Sequence, residues 1–186
     1  MTTARFSPVQ RLLHWLMALM IIAMLFIGIG MVSTLKPAYL TLVSIHKPLG
    51  LAILLLVILR LMVRIRRGAP PLPTDLPWWQ ALAAKVSHVL LYALMFAMPL
   101  IGWSMLSAGG YPVVVAGVHL PPIAPRDDTL HAVLRTAHTW LALLLFATVL
   151  LHLAAALFHA LARRDGVLSS MASIGREKPQ VKRQIS

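Results

Sequence analysis

The chain has 186 residues, 59% of them hydrophobic and 12% charged, with a mean hydropathy of +0.82, too apolar for a water-soluble domain of this length. It contains no cysteine, which excludes disulfides, iron–sulfur clusters and haem attached through a C-x-x-C-H motif. The net charge of +12 suits nucleic acid or a membrane topology, and the order of the charges along the chain decides for topology.

Four apolar stretches, near residues 8–34, 40–63, 82–106 and 135–162, are each long enough to cross a hydrocarbon layer about 30 Å thick. They predict an all-α fold: an integral membrane four-helix bundle occupying residues 1–165, followed by a basic cytoplasmic tail, 166–186. The first stretch is not a cleaved signal peptide, because it exceeds the usual apolar region of about 7–15 residues and GMVSTLKP offers no small-x-small site. With the N-terminus in the cytoplasm, Arg5, Arg11, Arg60, Arg64, Arg66, Arg67, Lys85, Arg163, Arg164, Arg176, Lys178, Lys182 and Arg183 lie on or near that side. Lys36, Lys47, Arg126 and Arg135 lie opposite. The positive-inside rule then places both termini in the cytoplasm, N-in and C-in. No nucleic-acid partner is needed to explain the basic charge.

Ser7-Pro8 is a helix start, a serine N-cap before proline at the first helical position. Arg11-Leu12-Leu13-His14-Trp15 follows, with a charge at the interface, a ligand candidate just inside it and an aromatic at belt depth. Gly28 lies fourteen residues past His14, on nearly the same face and near the opposite surface. An outer loop around Ser33–Pro37 leads to the second span. That span begins near Ala38 with a kink at Pro48, or effectively at His46. In His46-Lys47-Pro48-Leu49-Gly50, Gly50 removes a side chain one turn past the histidine, where a flat ligand fits. Arg60, fourteen residues past His46, is costly at that depth unless it snorkels or meets an anion.

Residues 64–77 read as a cytoplasmic loop rich in proline and charge, and Trp78-Trp79 mark the interface. His88 lies near the inner end of the third span, and Pro99-Leu100-Ile101-Gly102 predicts a kink near its outer end. The long outer segment 107–134 is expected to form an ordered cap or a short interfacial helix, with Asp127-Asp128 capping the approach to the fourth span and His119 and His131 simply solvated. In the fourth span His138 and His152 are fourteen residues apart. At about 100° and 1.5 Å per residue they return to within roughly 40° of one face, about 21 Å apart along the axis.

Topology pairs the histidines by depth. His14 and His152 lie towards the cytoplasm, His46 and His138 towards the outside, and the fourth helix contributes to both levels. Cofactor sites in helix bundles are built from such facing side chains. Zinc sites usually add thiolates or carboxylates, and the spans contain none. Two haem b groups fit better: two axial imidazoles each, an apolar slot, and Arg11, Arg60, Lys47 and Arg135 as candidates to meet the propionates. Bis-imidazole ligation leaves iron no open position, so the chemistry is electron transfer. A single membrane histidine is more often a packing residue than a ligand. Two pairs at two depths shift the balance. His88 is expected at the inner haem's edge, and His159, seven residues past His152, donates to a quinone carbonyl or snorkels. Trp15 and Trp140 are expected as belt anchors.

Arg11-x-x-His14-Trp15, His46-x-x-x-Gly50, Arg60 and Arg64, His88, and the His138/His152 pair together resemble the bacterial cytochrome b561 family over nearly the whole chain except its tail, most closely its small di-haem members that include superoxide oxidase. The resemblance implies a di-haem cytochrome b of the bacterial inner membrane. It pairs His14 with His152 and His46 with His138, with superoxide as the outer electron donor and ubiquinone as the acceptor. Lys36, Lys47, Arg126 and Arg135 suit a small anionic donor, partly offset by Asp127 and Asp128. A protein donor is the other option. Two alternatives compete: a cytochrome b subunit anchoring a dehydrogenase or hydrogenase in membrane lipid, and a cofactor-free transporter or scaffold. The absence of a carboxylate in the spans argues against the latter.

Overall fold

The computed structural model describes residues 5–35, 37–71, 75–115 and 117–172. Lys36 and residues 173–186, which include Arg176, Lys178, Lys182 and Arg183, lie outside the described residues.

Four long helices dominate: α1 (Pro8–Ser33), α2 (Ala38–Arg67), α3 (Trp78–Ala108) and α4 (Asp128–Phe158). All four are long and apolar enough to cross a membrane. Each exceeds the roughly 20 residues that a hydrocarbon core requires, so their ends project into the interface. Between α3 and α4 a small antiparallel hairpin, β1 (Val113–Val115) and β2 (Val118–Leu120), pairs Val114 with His119. This hairpin makes 107–134 an ordered cap rather than a short interfacial helix, the two forms that the sequence allows. The run Val113–Val115 is β-branched and Gly117, just before β2, sits at φ +80, both of which favour strand and tight turn over helix.

The helix ends follow local chemistry. Ser7 caps α1 in a reciprocal capping box with Gln10, as its hydroxyl and the glutamine three residues on dictate. The Gln10 amide then donates to the Gly68 carbonyl at 2.8 Å, tying the start of α1 to the end of α2. That second helix begins at Ala38 and runs through Pro48, which settles the two starts that the sequence allows. Proline lacks an N–H and clashes one turn back, yet here the helix runs on past it, as it does past Pro99 in α3. Asp127 caps α4, its carboxylate accepting from Leu130 N–H at 2.7 Å.

Packing organises these helices as two hairpins. The helices α1 and α2 pack together, as do α3 and α4, and α2 leans on α3, whereas neither α1 nor α2 packs its backbone closely against α4. The dry centre comprises Met17 and Ile21 of α1, Ile53, Leu54 and Val57 of α2, and Met95 of α3, with Met17 and Val57 at 0% exposure. A seven-residue interval governs the interior. Ile21, Ile53, Met95 and Leu145, all buried, each lie seven residues past a histidine: His14, His46, His88 and His138. Seven steps rotate a helix to within about 20° of the starting face, so each helix aims an apolar residue and its histidine into the same interior. Large residues on the other faces, such as Leu19, Phe26, Leu55 and Leu151, are exposed, as expected of a surface meeting lipid.

Beyond α4 the chain makes one wider π-helical turn, His159–Arg163, and a short helix α5, Val167–Ala172. Phe6 N–H donates to the Ser170 carbonyl and Trp15 Nε1–H to that of Met171 at 3.1 Å, so α5 closes the end of the bundle where α1 begins. We call this the proximal end and the hairpin end distal. Met17→Ala should lower the unfolding free energy in detergent by about 2–4 kcal/mol, the cost of a large-to-small change in a closed core. Leu19→Ala, on the exposed face, should change it by less than about 0.5 kcal/mol. Equal losses for both would show that Met17 is not in a packed core.

Candidate functional site

The interior divides into two levels separated by the apolar layer. At the proximal level stand His14 of α1, Arg60 of α2, His88 of α3 and His152 of α4. At the distal level the corresponding positions are Gly28, His46, Gly102 and His138. Each set follows from adding seven or fourteen residues along antiparallel helices.

Across the proximal level the His14 and His152 rings lie 6.3 Å apart between centroids, and across the distal level His46 and His138 lie 6.2 Å apart. Both pairs bridge helices whose backbones are not packed together. If imidazole–metal bonds are about 2.0–2.1 Å and each ring centre lies roughly 1.1 Å beyond its nitrogen, two imidazoles sharing one metal have centroids about 6.2–6.4 Å apart. The Nδ1 atoms of His14, His46 and His138 are buried with no hydrogen-bond partner among the described residues. A packing histidine normally finds partners for its ring nitrogens, so these rings have the character of nitrogen donors. Among the described residues no three His, Cys, Asp or Glu side chains converge as a metal site. A bare ion needs three or four protein ligands. Two facing imidazoles are the donor set of a porphyrin iron, whose macrocycle supplies the rest.

The surroundings differ between levels. Gly102, read from sequence only as part of a kink, backs the His138 ring: a Cβ there would sit 3.3 Å from His138 Cε1. Its spacing of seven residues from Met95 and fourteen from His88 is the signal that would have found it. A Cβ on Gly50 would meet Met24 at 3.6 Å, so this glycine faces α1, and Gly28 has open space beside it. Proximally, the His88 ring is edge-on to His152 at 5.6 Å and Trp15 is edge-on to His14 at 5.3 Å. Arg60 lies over the Tyr92 ring, 5.7 Å from its centroid, a cation–π contact that sequence reading did not anticipate. Of the remaining basic candidates, Arg11 and Lys47 are half-buried and Arg135 is exposed.

His159 is neither snorkelled nor free. Its Nδ1–H donates to Asp165 Oδ2 at 2.5 Å, and the same oxygen accepts from Arg163 Nε at 3.1 Å. Arg163 reaches Asp75 at 2.9 Å, joining α4 to the segment before α3. The chain turns back at Arg164, φ +53, which lets Asp165 fold under its own helix. Burial opposes ionisation of Asp165, but hydrogen bonds from His159, Val167 N–H and Arg163 outweigh it and hold its carboxyl below the usual range.

The distal cap also corrects an expectation. His131 is not solvated: its Nδ1–H donates to the Met105 carbonyl at 2.8 Å and its ring meets Tyr111 at 5.9 Å. It lies in the first turn of α4, which starts seven residues earlier than the apolar pattern indicates. His119 is exposed on β2, as expected. Trp103 Nε1–H donates to the Pro121 carbonyl and Ser107 accepts from Ile123 N–H. These bonds hold the cap over a cleft lined by Trp103, Tyr111, Val113, Leu120 and Arg126.

The family model for prokaryotic cytochrome b561 matches residues 5–173. The chain belongs to the prokaryotic cytochrome b561 family. Among its relatives, Cytochrome b561 homolog 1 of Escherichia coli (strain K12) is 27% identical over 170 residues, covering 90% of this chain and 96% of the relative. Cytochrome b561 homolog 2 of the same organism is 30% identical over 174 residues, 91% of this chain and 92% of the relative. A protein of Yersinia pestis described as "Probable superoxide oxidase CybB" is 30% identical over 169 residues, covering 90% and 95%. As a cytochrome b561, this protein is a haem b-binding, electron-transferring, multi-pass protein of the bacterial inner membrane.

Because the folded carboxyl of Asp165 is depressed, its contribution to stability is complete above the ordinary value of 3.8 and is lost as pH falls through the lower folded value. The thermal midpoint should therefore drop in strong acid. Asp165→Asn should lower the midpoint at neutral pH and remove this part of the acid dependence. An unchanged acid profile in D165N would show that the carboxylate is not the group responsible.

Proposed function

We propose that this cytochrome b561 holds two b haems, one per level, with His14 and His152 as proximal ligands and His46 and His138 as distal ligands. The observation that carries this reading is the pair of cross-helix imidazole couples at 6.3 and 6.2 Å, each without a third protein ligand among the described residues. When bound, the two haems supply one-electron carriage across the bilayer. The chain's part is to hold, orient and insulate. His14, His46, His138 and His152 donate ring nitrogens from opposite sides. Ile21, Ile53, Met95 and Leu145 keep the layer between the levels dry, and Gly28, Gly50 and Gly102 keep the helices slim beside the rings. Arg11 and Arg60 proximally, with Lys47 and Arg135 distally, supply positive charge for the propionates. His88 borders the proximal ligand His152, and His159 is held by Asp165 at the end of the same helix face.

The proximal end faces the cytoplasm. This agrees with Arg64, Arg66, Arg67, Lys85, Arg163 and Arg164 clustering there under the positive-inside rule. Electrons enter from a donor at the distal, periplasmic face and leave to ubiquinone in the membrane. The donor is a small anion, superoxide, approaching the cap where Arg126 lines a cleft. The printed description of the Yersinia pestis relative supports superoxide as that anion.

Purified protein should contain two protohaems per chain. His152→Ala should lose the proximal haem and retain most of the distal one, and His138→Ala should do the reverse, measured as haem per protein. Equal loss of both haems in each variant would reject the pairing. Mixing the holoprotein with a superoxide source should reduce the haems faster than uncatalysed dismutation removes superoxide, and ubiquinone should reoxidise them. Haems that stay oxidised would remove superoxide as donor. Co-purification of a dehydrogenase with no quinone reduction by the isolated chain would assign the protein to the anchoring role.

A further inference from the structure

We infer that Arg60 makes the proximal haem the higher-potential centre of the two and thereby directs electrons from the distal level to the proximal one. The inference rests on the two-haem reading above and assigns a direction that neither the ligand set nor the comparisons supply.

The two levels are alike in ligands and unlike in the charge held within the interior register. Both are bis-histidine, both join α4 to one helix of the first hairpin, and both lie seven residues from the same apolar layer. The remaining positions in register are Gly28 and Gly102 distally, and Arg60 and His88 proximally. Arg60 is in the interior register, seven residues past Ile53 and three past the fully buried Val57. Its guanidinium is held over Tyr92, and Tyr92 itself packs against the central apolar cluster. Among the described residues no carboxylate pairs with it: the ion pairs there involve only His159, Arg163, Asp165 and Asp75.

The field of this charge reaches the proximal ligands. Arg60 acts electrostatically on His14, His88 and His152, and Arg64, one turn further along α2, acts on His88 and on Arg60 itself. At the distal level His138 has His46 as its electrostatic neighbour, and among the described residues no lysine or arginine acts comparably on either ring. Lys47 is turned about 100° from His46 along the helix, and Arg135 is exposed, where water and salt screen it.

Reduction adds one negative charge to a haem centre. A fixed cation nearby in low dielectric favours the reduced state and raises the potential. Arginine keeps its charge throughout the accessible pH range, so the bias is permanent. Its role is positional: Arg60 need not touch the donor or quinone, and sharing a propionate would still leave the proximal level one positive charge richer than it would be without the arginine.

The test is a potentiometric titration of purified holoprotein, read from the visible haem band. Wild type should show two one-electron components; a single component from protein carrying two haems per chain overturns the inference, whereas fewer than two haems per chain would instead refute the two-haem reading. In Arg60→Gln the higher component should fall by about 59 mV, a tenfold change in its reduction equilibrium, while the lower stays put. Arg60→Lys should keep the wild-type gap near neutral pH. An unchanged gap in R60Q, or a shift confined to the lower component, overturns the inference. Should R60Q fail to retain haem, R60K supplies the same test within a folded protein. Raising the pH until the lysine loses its proton should narrow the gap in R60K and leave it unchanged in wild type, and a gap that tracks wild type throughout overturns the inference.

Discussion

Hydrocarbon cannot solvate an imidazole or a guanidinium, so each such group within a span must face protein. This chain meets that constraint by placing its interior polar groups at intervals of seven residues. His14, His46, Arg60, His88, His138 and His152 thereby share a single interior with Ile21, Ile53, Met95 and Leu145. The same interval produces levels rather than a scatter, because antiparallel helices of similar length bring a residue early in one beside a residue late in the next. Depth and facing are fixed together. The donors can therefore form couples even though α1 and α2 do not pack closely on α4.

The two ends of the bundle are finished by different means. The proximal end is closed by side-chain chemistry: Gln10 on the Gly68 carbonyl, Trp15 on Met171, and the Asp165 carboxylate drawing in His159 and Arg163. The distal end is closed by a two-stranded hairpin and its flanking loop, anchored through the side chains of Trp103 and Ser107 and the Asp127 N–H. Hydrogen-bonded caps suit this position, since backbone polar groups leaving a helix near the membrane surface need partners.

The helices and the two histidine couples were legible in the sequence because each rests on a strong periodic signal. Four apolar runs of membrane length announce four spans, and a fourteen-residue spacing on one helix announces a shared face. Ser7 and Asp127 were legible for the same reason, as capping chemistry is local. What escaped depends on contacts between residues far apart in the chain. Val113–Leu120 is too short a strand pair to stand out among the prolines and glycines of 107–134. The start of α4 lies seven residues before the apolar run because Asp128, Thr129 and His131 interrupt the hydrophobic pattern over its first two turns. His131 and His159 looked solvated or snorkelled until their partners, Met105 and Asp165, were known. Tyr92 resembles any interfacial aromatic until Arg60 is seen over its ring, and Gly102 is a helix breaker on paper but a seat for His138 in the bundle.

The pairing of α1 with α2 and α3 with α4 gives the bundle the construction of a book, its spine the contact of α2 on α3 and its pages opening between α4 and the first hairpin. Side chains, not main chains, span that opening. A rigid planar pigment can be inserted edgewise by a slight parting of the covers, with neither helical hairpin unwinding. Under the proposed ligation, maturation of such a protein is the loading of a nearly finished scaffold, and the metal becomes the clasp that shuts it.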